Sequence, residues 1–180
     1  MRYAPSRTPP KSPAIAITRA STEVENREIQ SLVDALGEWD TLEAGKLGID
    51  EQAVASFYYR DGKGGPEEFA PPDGCMLLAT HDGKTAGCIG FHKMEDGICE
   101  MKHFYVRPEF RGARIGRRLL DVLLAAARER GYRVMRLETT TFMANARRLY
   151  ASMGFQVRDA YYDIPELFRP VTVFMERSLE

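Results

Sequence analysis

The sequence predicts one mixed α/β domain: a largely antiparallel sheet holding one parallel strand pair, covered by about four helices. Three observations predict it. Short runs of alternating apolar and polar residues recur along the 180-residue chain, separated by Asp-Gly turns. A strongly amphipathic helical stretch lies between two of these runs, and such a strand–helix–strand unit sets its strands parallel. The full order is strand, two helices, three strands, helix, strand, helix, two strands, with no internal repeat.

Residues 14–20 alternate apolar and polar side chains and read as the first strand. Ser21 and Thr22 cap a helix whose apolar positions Val24, Ile29, Leu32, Val33 and Leu36 share one face, and Gly37 is expected to end it. Asp50 caps a second helix reaching about Tyr59. Residues 61–74 hold three prolines, four glycines and several charges, and form a long loop. Residues 75–80 meet residues 85–93 through His81-Asp82-Gly83-Lys84, where Asp-Gly signals a hairpin. Glu95-Asp96-Gly97 then turns the chain into residues 98–106. From Arg114 to Arg130 the pattern is helical, with Ile115, Leu119, Leu120, Leu123, Leu124 and Ala127 on one face and Gly131 at the end. Residues 134–139 form a strand. Residues 142–153 form a helix stacking Met143, Ala146, Leu149, Tyr150 and Met153, which Gly154 stops. Residues 155–162 and 171–178 are two closing strands.

Composition bounds the function. An apolar content of 44% and a charged content of 28% are those of an ordinary globular protein. A net charge of −1 provides no field for nucleic acid or a membrane surface. No apolar run approaches the roughly 18–20 residues of a membrane span. Residues 1–13 carry four prolines and three basic residues but no apolar core, so they read as a disordered tail rather than a secretory signal. The folded domain is then residues 14–180. Cys75, Cys88 and Cys99 are odd in number and lack zinc spacing, so they are expected as buried free thiols in a reducing cytoplasm. His81, His92 and His103 have no partner at i+4, and no metal site is expected.

The chemistry concentrates in Arg111-Gly112-Ala113-Arg114-Ile115-Gly116, between a strand ending at Val106 and a helix. Such a turn presents unpaired backbone N–H groups and the positive end of the helix dipole, which together bind phosphate. Neither a dinucleotide-binding glycine pattern nor a Walker Gly-Lys-Ser/Thr ending is present. The turn follows Val106-Arg107-Pro108, and Leu149-Tyr150-Ala151-Ser152-Met153-Gly154-Phe155 lies downstream. On these two motifs the chain resembles the GNAT N-acetyltransferase superfamily over roughly residues 15–179. Pro71-Pro72-Asp73-Gly74 is similar to a segment of its bacterial-type members. Arg114 stands where the family has the first glycine of a Gly-x-Gly pair. Met143 stands where many members have Asn, and Asn145 follows two residues later.

The resemblance implies a GNAT-like sheet of about seven strands whose central parallel pair splays at an acetyl-CoA site. It implies an N-acetyltransferase passing acetyl from acetyl-CoA directly to a primary amine of a small molecule or peptide. Phe104, Tyr105 and Val106 would offer backbone groups to pantetheine and the acetyl carbonyl, with the Phe104 N–H as oxyanion donor. Arg111, Gly112, Ala113, Arg114, Ile115, Gly116 and Arg117 would hold the diphosphate, with Asn145 a further coenzyme contact. Tyr150 is the general-acid candidate, because a phenol near pKa 10 suits protonation of a departing thiolate; on pattern alone it is a packing residue. Glu100, six residues before Val106, is the base candidate, with burial expected to raise its pKa. Its other reading is a strand carboxylate paired with Lys102 or an arginine. Cys75 and Cys99 lack an orienting histidine and carboxylate, which favours direct transfer over an acyl-enzyme. The acceptor pocket is expected among residues 38–46 with Trp39, residues 61–74, and residues 161–170 with Tyr161, Tyr162, Asp163, Glu166 and Phe168. No metal, nucleic acid or membrane enters this reading, and a monomer or homodimer in the cytoplasm is expected. The alternative is an acyl-CoA-binding regulatory or sensor domain without turnover, against which the presence of both Glu100 and Tyr150 weighs.

Overall fold

The computed structural model describes residues 14–58 and 66–180. The expected N-terminal tail, Tyr59 and residues 61–65 of the long loop lie outside them. Seven strands form one sheet in the order β1-β2-β3-β4-β5-β7-β6, as β1 (Ile15–Arg19), β2 (Cys75–His81), β3 (Lys84–Glu95), β4 (Ile98–Val106), β5 (Val134–Thr140), β6 (Gln156–Arg158) and β7 (Thr172–Ser178). All neighbours are antiparallel except β4 and β5, which α3 (Ile115–Glu129) connects. The other helices are α1 (Glu23–Gly45), α2 (Glu51–Tyr58) and α4 (Ala144–Ser152).

Alternation along the strands divides the core between two faces. Leu77, Ile89, Phe91, Met101, Met135 and Leu137 pack under the α3 residues Leu119, Leu120, Leu123 and Leu124, and Tyr150 of α4 joins this cluster. Leu78, Cys88 and Tyr105 point the other way and meet Ile29 and Leu32 of α1. A smaller cluster joins Ala44 of α1 to Val54 and Phe57 of α2 and to Phe168 and Val171.

Local chemistry sets most boundaries. Thr22 and Glu25 form a capping box at the start of α1, and Asp50 accepts from the amides of Gln52 and Ala53 at the start of α2. Asp82 and Gly83 both adopt positive φ, 49° and 78°, as the β2–β3 hairpin requires. Three expectations are corrected. Helix α1 does not stop at Gly37 but continues to Gly45, because Asp40 and Ala44 are buried and tertiary packing outweighs the roughly 1 kcal/mol penalty of an internal glycine. Helix α4 begins at Ala144 rather than at Phe142, whose ring stands edge-on to Trp39 at 5.8 Å. The strand expected over 155–162 shortens to Gln156–Arg158, because Tyr161 and Tyr162 leave the sheet edge to pack edge-on against Phe174 at 4.7 and 5.0 Å.

Candidate active site

Strands β4 and β5 pair over four positions only, Ile98 with Val134 through Met101 with Leu137, and then part. A bulge in β4 separates them. Lys102 faces Gly90 and Tyr105 faces Cys88, so β4 carries one more residue than β3 across this interval. His103 takes up the kink at φ 57°, and the Cys88 thiol donates to its carbonyl at 3.2 Å. Beyond the bulge, and among the described residues, the β5-facing backbone edge of residues 104–106 has no strand partner.

A groove of about 810 Å³ opens at this parting. Its walls are Phe104, Tyr105 and Val106 of β4, the turn into α3, and Asn145, Ala146 and Leu149 of α4, with Leu36 and Trp39 of α1 and Phe142 and Met143 across from them. The turn ends in Arg114 at φ 61°, and the first turn of α3 receives no hydrogen bond from its N-cap side chain. Arg111, Arg114 and Arg117 line the same end, and Arg111 is braced by its Nε donating to the Val106 carbonyl at 3.0 Å. At Gly116 a Cβ would stand 3.0 Å from the Phe104 ring and 3.4 Å from Leu149, so glycine lets the helix start close against β4. Of the expected coenzyme residues, all line the groove except Ala113, which packs against the main core cluster.

Tyr150 lies behind this wall, 3% exposed, with its ring 5.8 Å from that of Phe104. Burial, with the nearby Asp40 charge adding to it, pushes its phenol well above the ordinary value. It therefore stays protonated across the neutral range. Glu100 lies apart from the groove wall, on the α1 side of the sheet. Its Oε2 is 3.1 Å from His92 Nε2, its Oε1 is 3.3 Å from Lys102 Nζ, and the Tyr161 hydroxyl donates to Oε1 at 2.6 Å. The expected rise in its pKa is reversed: burial pushes upward, but His92, Lys102 and Tyr161 outweigh it and hold the carboxyl at about 2. The pairing with Lys102 is the one the sequence left open. Lys102 Nζ also reaches within 3.8 Å of Glu138 Oε2, and the Tyr162 hydroxyl donates to the same carboxylate.

Asp40 carries no signal in either motif, yet it is 8% exposed and its Oδ1 has no hydrogen-bond partner among the described residues. Burial, reinforced by the charge of Glu138, raises its pKa to about 7. Its place at i+4 from Leu36 and i−4 from Ala44, on the buried stripe of an amphipathic helix, is the pattern that marks it. Trp39 does border the groove, and it stands on α1 beyond the helix end expected at Gly37. The three cysteines are free and buried, and burial drives the thiols of Cys88 and Cys99 up to about 12, which makes them poor nucleophiles. Among the described residues no helix is long and apolar enough to cross a membrane, and no group of three or more His, Cys, Asp or Glu side chains is placed to hold a metal ion.

The family model of the acetyltransferase (GNAT) family matches residues 35–155, which hold the bulge, the turn, α3, β5 and α4. The chain belongs to the GNAT family. A relative from Schizosaccharomyces pombe, an uncharacterised N-acetyltransferase, is 40% identical over 100 residues, covering 54% of this chain and 61% of its own. The chain thus spans less than two thirds of that relative. The IAA acetyltransferase of Azospirillum brasilense is 35% identical over 114 residues, covering 63% of this chain and 73% of its own. Among solved GNAT-like structures, a candidate acyl-CoA N-acyltransferase from Klebsiella pneumoniae superposes with a TM-score of 0.69 at 28% identity, over 92% of this chain and 98% of its own. The PaiA N-acetyltransferase of Thermoplasma acidophilum, solved with coenzyme A, shares the fold at a TM-score of 0.67 and 21% identity, over 92% of this chain and 99% of its own.

Proposed function

We propose that this GNAT chain transfers an acetyl group from acetyl-CoA directly to a primary amine of a small molecule or peptide. The observation that carries the reading is the parting of β4 and β5 beside an uncapped, arginine-lined helix start. A diphosphate fits there on electrostatic grounds, since backbone N–H groups, the helix dipole and guanidinium groups converge on one end of the groove. The free edge of residues 104–106 suits the amide groups of a pantetheine arm and, at the Phe104 N–H, a developing oxyanion. One such preorganised donor is typically worth about 2.7–4 kcal/mol in the barrier. Relatives named as acetyltransferases and a coenzyme A complex of the same fold support this donor.

Acetyl-CoA supplies the activated acyl carbon and a thiolate leaving group. Tyr150 holds the proton for the sulfur, and that proton is replaced by the one the nitrogen sheds on becoming an amide. In this reading Glu100 contributes through its ion-paired network, which fixes Lys102 and Tyr161 beside the acceptor side. The raised thiol pKa values weigh toward direct transfer rather than a cysteine acyl-enzyme.

Thermal melts with acetyl-CoA and with ATP test the coenzyme reading. Saturating acetyl-CoA stabilises by about 2.7 kcal/mol at a hundredfold excess over Kd, while ATP leaves the midpoint almost in place. Thiol release across an amine panel then reads turnover. Tyr150→Phe keeps the acetyl-CoA shift and slows release about 100-fold. An equal shift with ATP removes the coenzyme assignment, and unchanged release removes Tyr150. Binding without release for every amine favours the sensor reading.

A further inference from the structure

We infer that the carboxylate of Asp40, on α1, is the base that takes the proton from the incoming ammonium, and that Thr140 helps to seat that ammonium. The inference rests on the acetyl-transfer reading above and assigns one step within it. The first support is burial without a partner. Asp40 and Thr140 are 8% and 3% exposed, and Asp40 Oδ1 and Thr140 Oγ1 accept or donate no hydrogen bond among the described residues. A buried oxygen without a partner is costly and calls for an explanation. They come from different elements. Thr140 ends β5, two residues beyond Glu138 on the same strand face, and Glu138 is close enough to Asp40 for its charge to act on that carboxyl. A single ammonium carries N–H donors enough for both oxygens.

The second support is position. Leu36 and Trp39, one turn before Asp40 and immediately before it, both border the groove, and Asp40 lies buried behind that wall. Asp40 also lies close enough to Tyr150 of α4 for its charge to act on the phenol. The surroundings attract a cation. From β5 comes Glu138, which the Tyr162 hydroxyl and Lys102 also approach; from α4 comes Tyr150; on α1 itself Glu43 is taken by Lys46 at 2.6 Å. Among the described residues no basic side chain pairs with Asp40. The remaining candidates are spoken for: Glu100 is held ionised by His92, Lys102 and Tyr161, and the cysteine thiols are buried. A carboxyl titrating near neutrality is, by contrast, well matched to proton transfer at pH 7.

The step balances. Asp40 takes one proton from R–NH₃⁺, and the freed lone pair forms the C–N bond at the acetyl carbon. The C–S bond breaks, with its electron pair leaving on sulfur. Tyr150 protonates the sulfur and regains the second proton from nitrogen, and Asp40 returns its proton to solvent.

Asp40→Asn in the full chain tests this, with acetyl-CoA and two probe amines: 2-phenylethylamine, an ammonium at pH 7, and O-methylhydroxylamine, neutral at pH 7. The variant keeps the acetyl-CoA thermal shift, loses about 100-fold in kcat/KM for 2-phenylethylamine, and loses under about threefold for O-methylhydroxylamine. The wild-type profile for 2-phenylethylamine has a limb that bends level at about pH 7, and the variant, dependent on the free-amine fraction, keeps rising through pH 7 and lacks that limb. An unchanged 2-phenylethylamine rate, or equal losses for both amines with the limb retained, overturns the assignment. Carbon-13 NMR of labelled aspartate carboxyls offers a check that needs no acceptor. One signal titrates near neutrality in the wild type and is missing in Asp40→Asn; a wild type without that signal overturns it too. Failure of the wild type to bind acetyl-CoA overturns the parent reading instead, and this inference with it.

Discussion

Arg114 stands in the left-handed region at φ 61°, where a side chain costs roughly 1–2 kcal/mol. The resemblance puts glycine at that position, and the structure explains why the conformation is needed: it turns the chain from the loop into α3 with the leading amides facing the groove. Arg114→Gly relieves the strain but frees the unfolded chain, so unliganded stability rises by at most about 1 kcal/mol. Acetyl-CoA affinity falls severalfold with the lost guanidinium. Urea midpoints and titration calorimetry read both, and a lowered midpoint refutes the strain account. At this scale the arginine-lined turn at the start of α3 was legible in the sequence, because its residues are consecutive in the chain. The direction of the Glu100 shift was not. Its partners His92 and Tyr161 lie 8 and 61 residues away, and only the folded sheet brings them to one carboxylate.

Strand β4 is bent by an extra residue, and β3 must follow it closely. At Gly87 a Cβ would lie 2.5 Å from the Tyr105 carbonyl oxygen and 3.2 Å from Val106. Gly87→Ala is therefore expected to cost about 1–3 kcal/mol and to displace residues 104–106, so that the folded fraction also binds acetyl-CoA more weakly. Denaturant melts alongside coenzyme titration separate the two effects; wild-type affinity in a destabilised variant would free the bulge from any part in binding. Periodicity and turn residues made the order of elements readable in advance, including the parallel crossover. Lengths were less readable. Helix α1 outruns Gly37 because Asp40 and Ala44 find buried positions, and β6 stops early because two tyrosines find better company on Phe174 than on the edge of the sheet.

Over the whole molecule, the sheet separates two tasks. The α3 side builds the main core and carries the arginine-lined turn, while the α1 side gathers Asp40, Glu100, Glu138, Lys102, Tyr161 and Tyr162. The two titrating carboxyls then oppose each other in the stability of the protein. Glu100, held at about 2 in the fold against roughly 4.3 when unfolded, contributes stability above pH 4.3 that disappears as pH falls toward 2. Asp40, raised to about 7, favours the fold at low pH and loses that contribution as pH climbs from about 4 through 7. Glu100→Gln should accordingly lower the urea midpoint at pH 7 and approach the wild type at pH 3. A gap that persists undiminished in acid would show that the network acts through packing rather than charge.

Among the described residues, the strand ladder that joins β1–β4 to β5–β7 spans four paired positions. The sheet is thus two plates on a short hinge, with the proposed ligand seated in the angle between them. Coenzyme lying along residues 104–106 would act as an added brace across that hinge. Its arrival should be felt as slowed amide exchange in β4 and β5 alike, including amides it never touches.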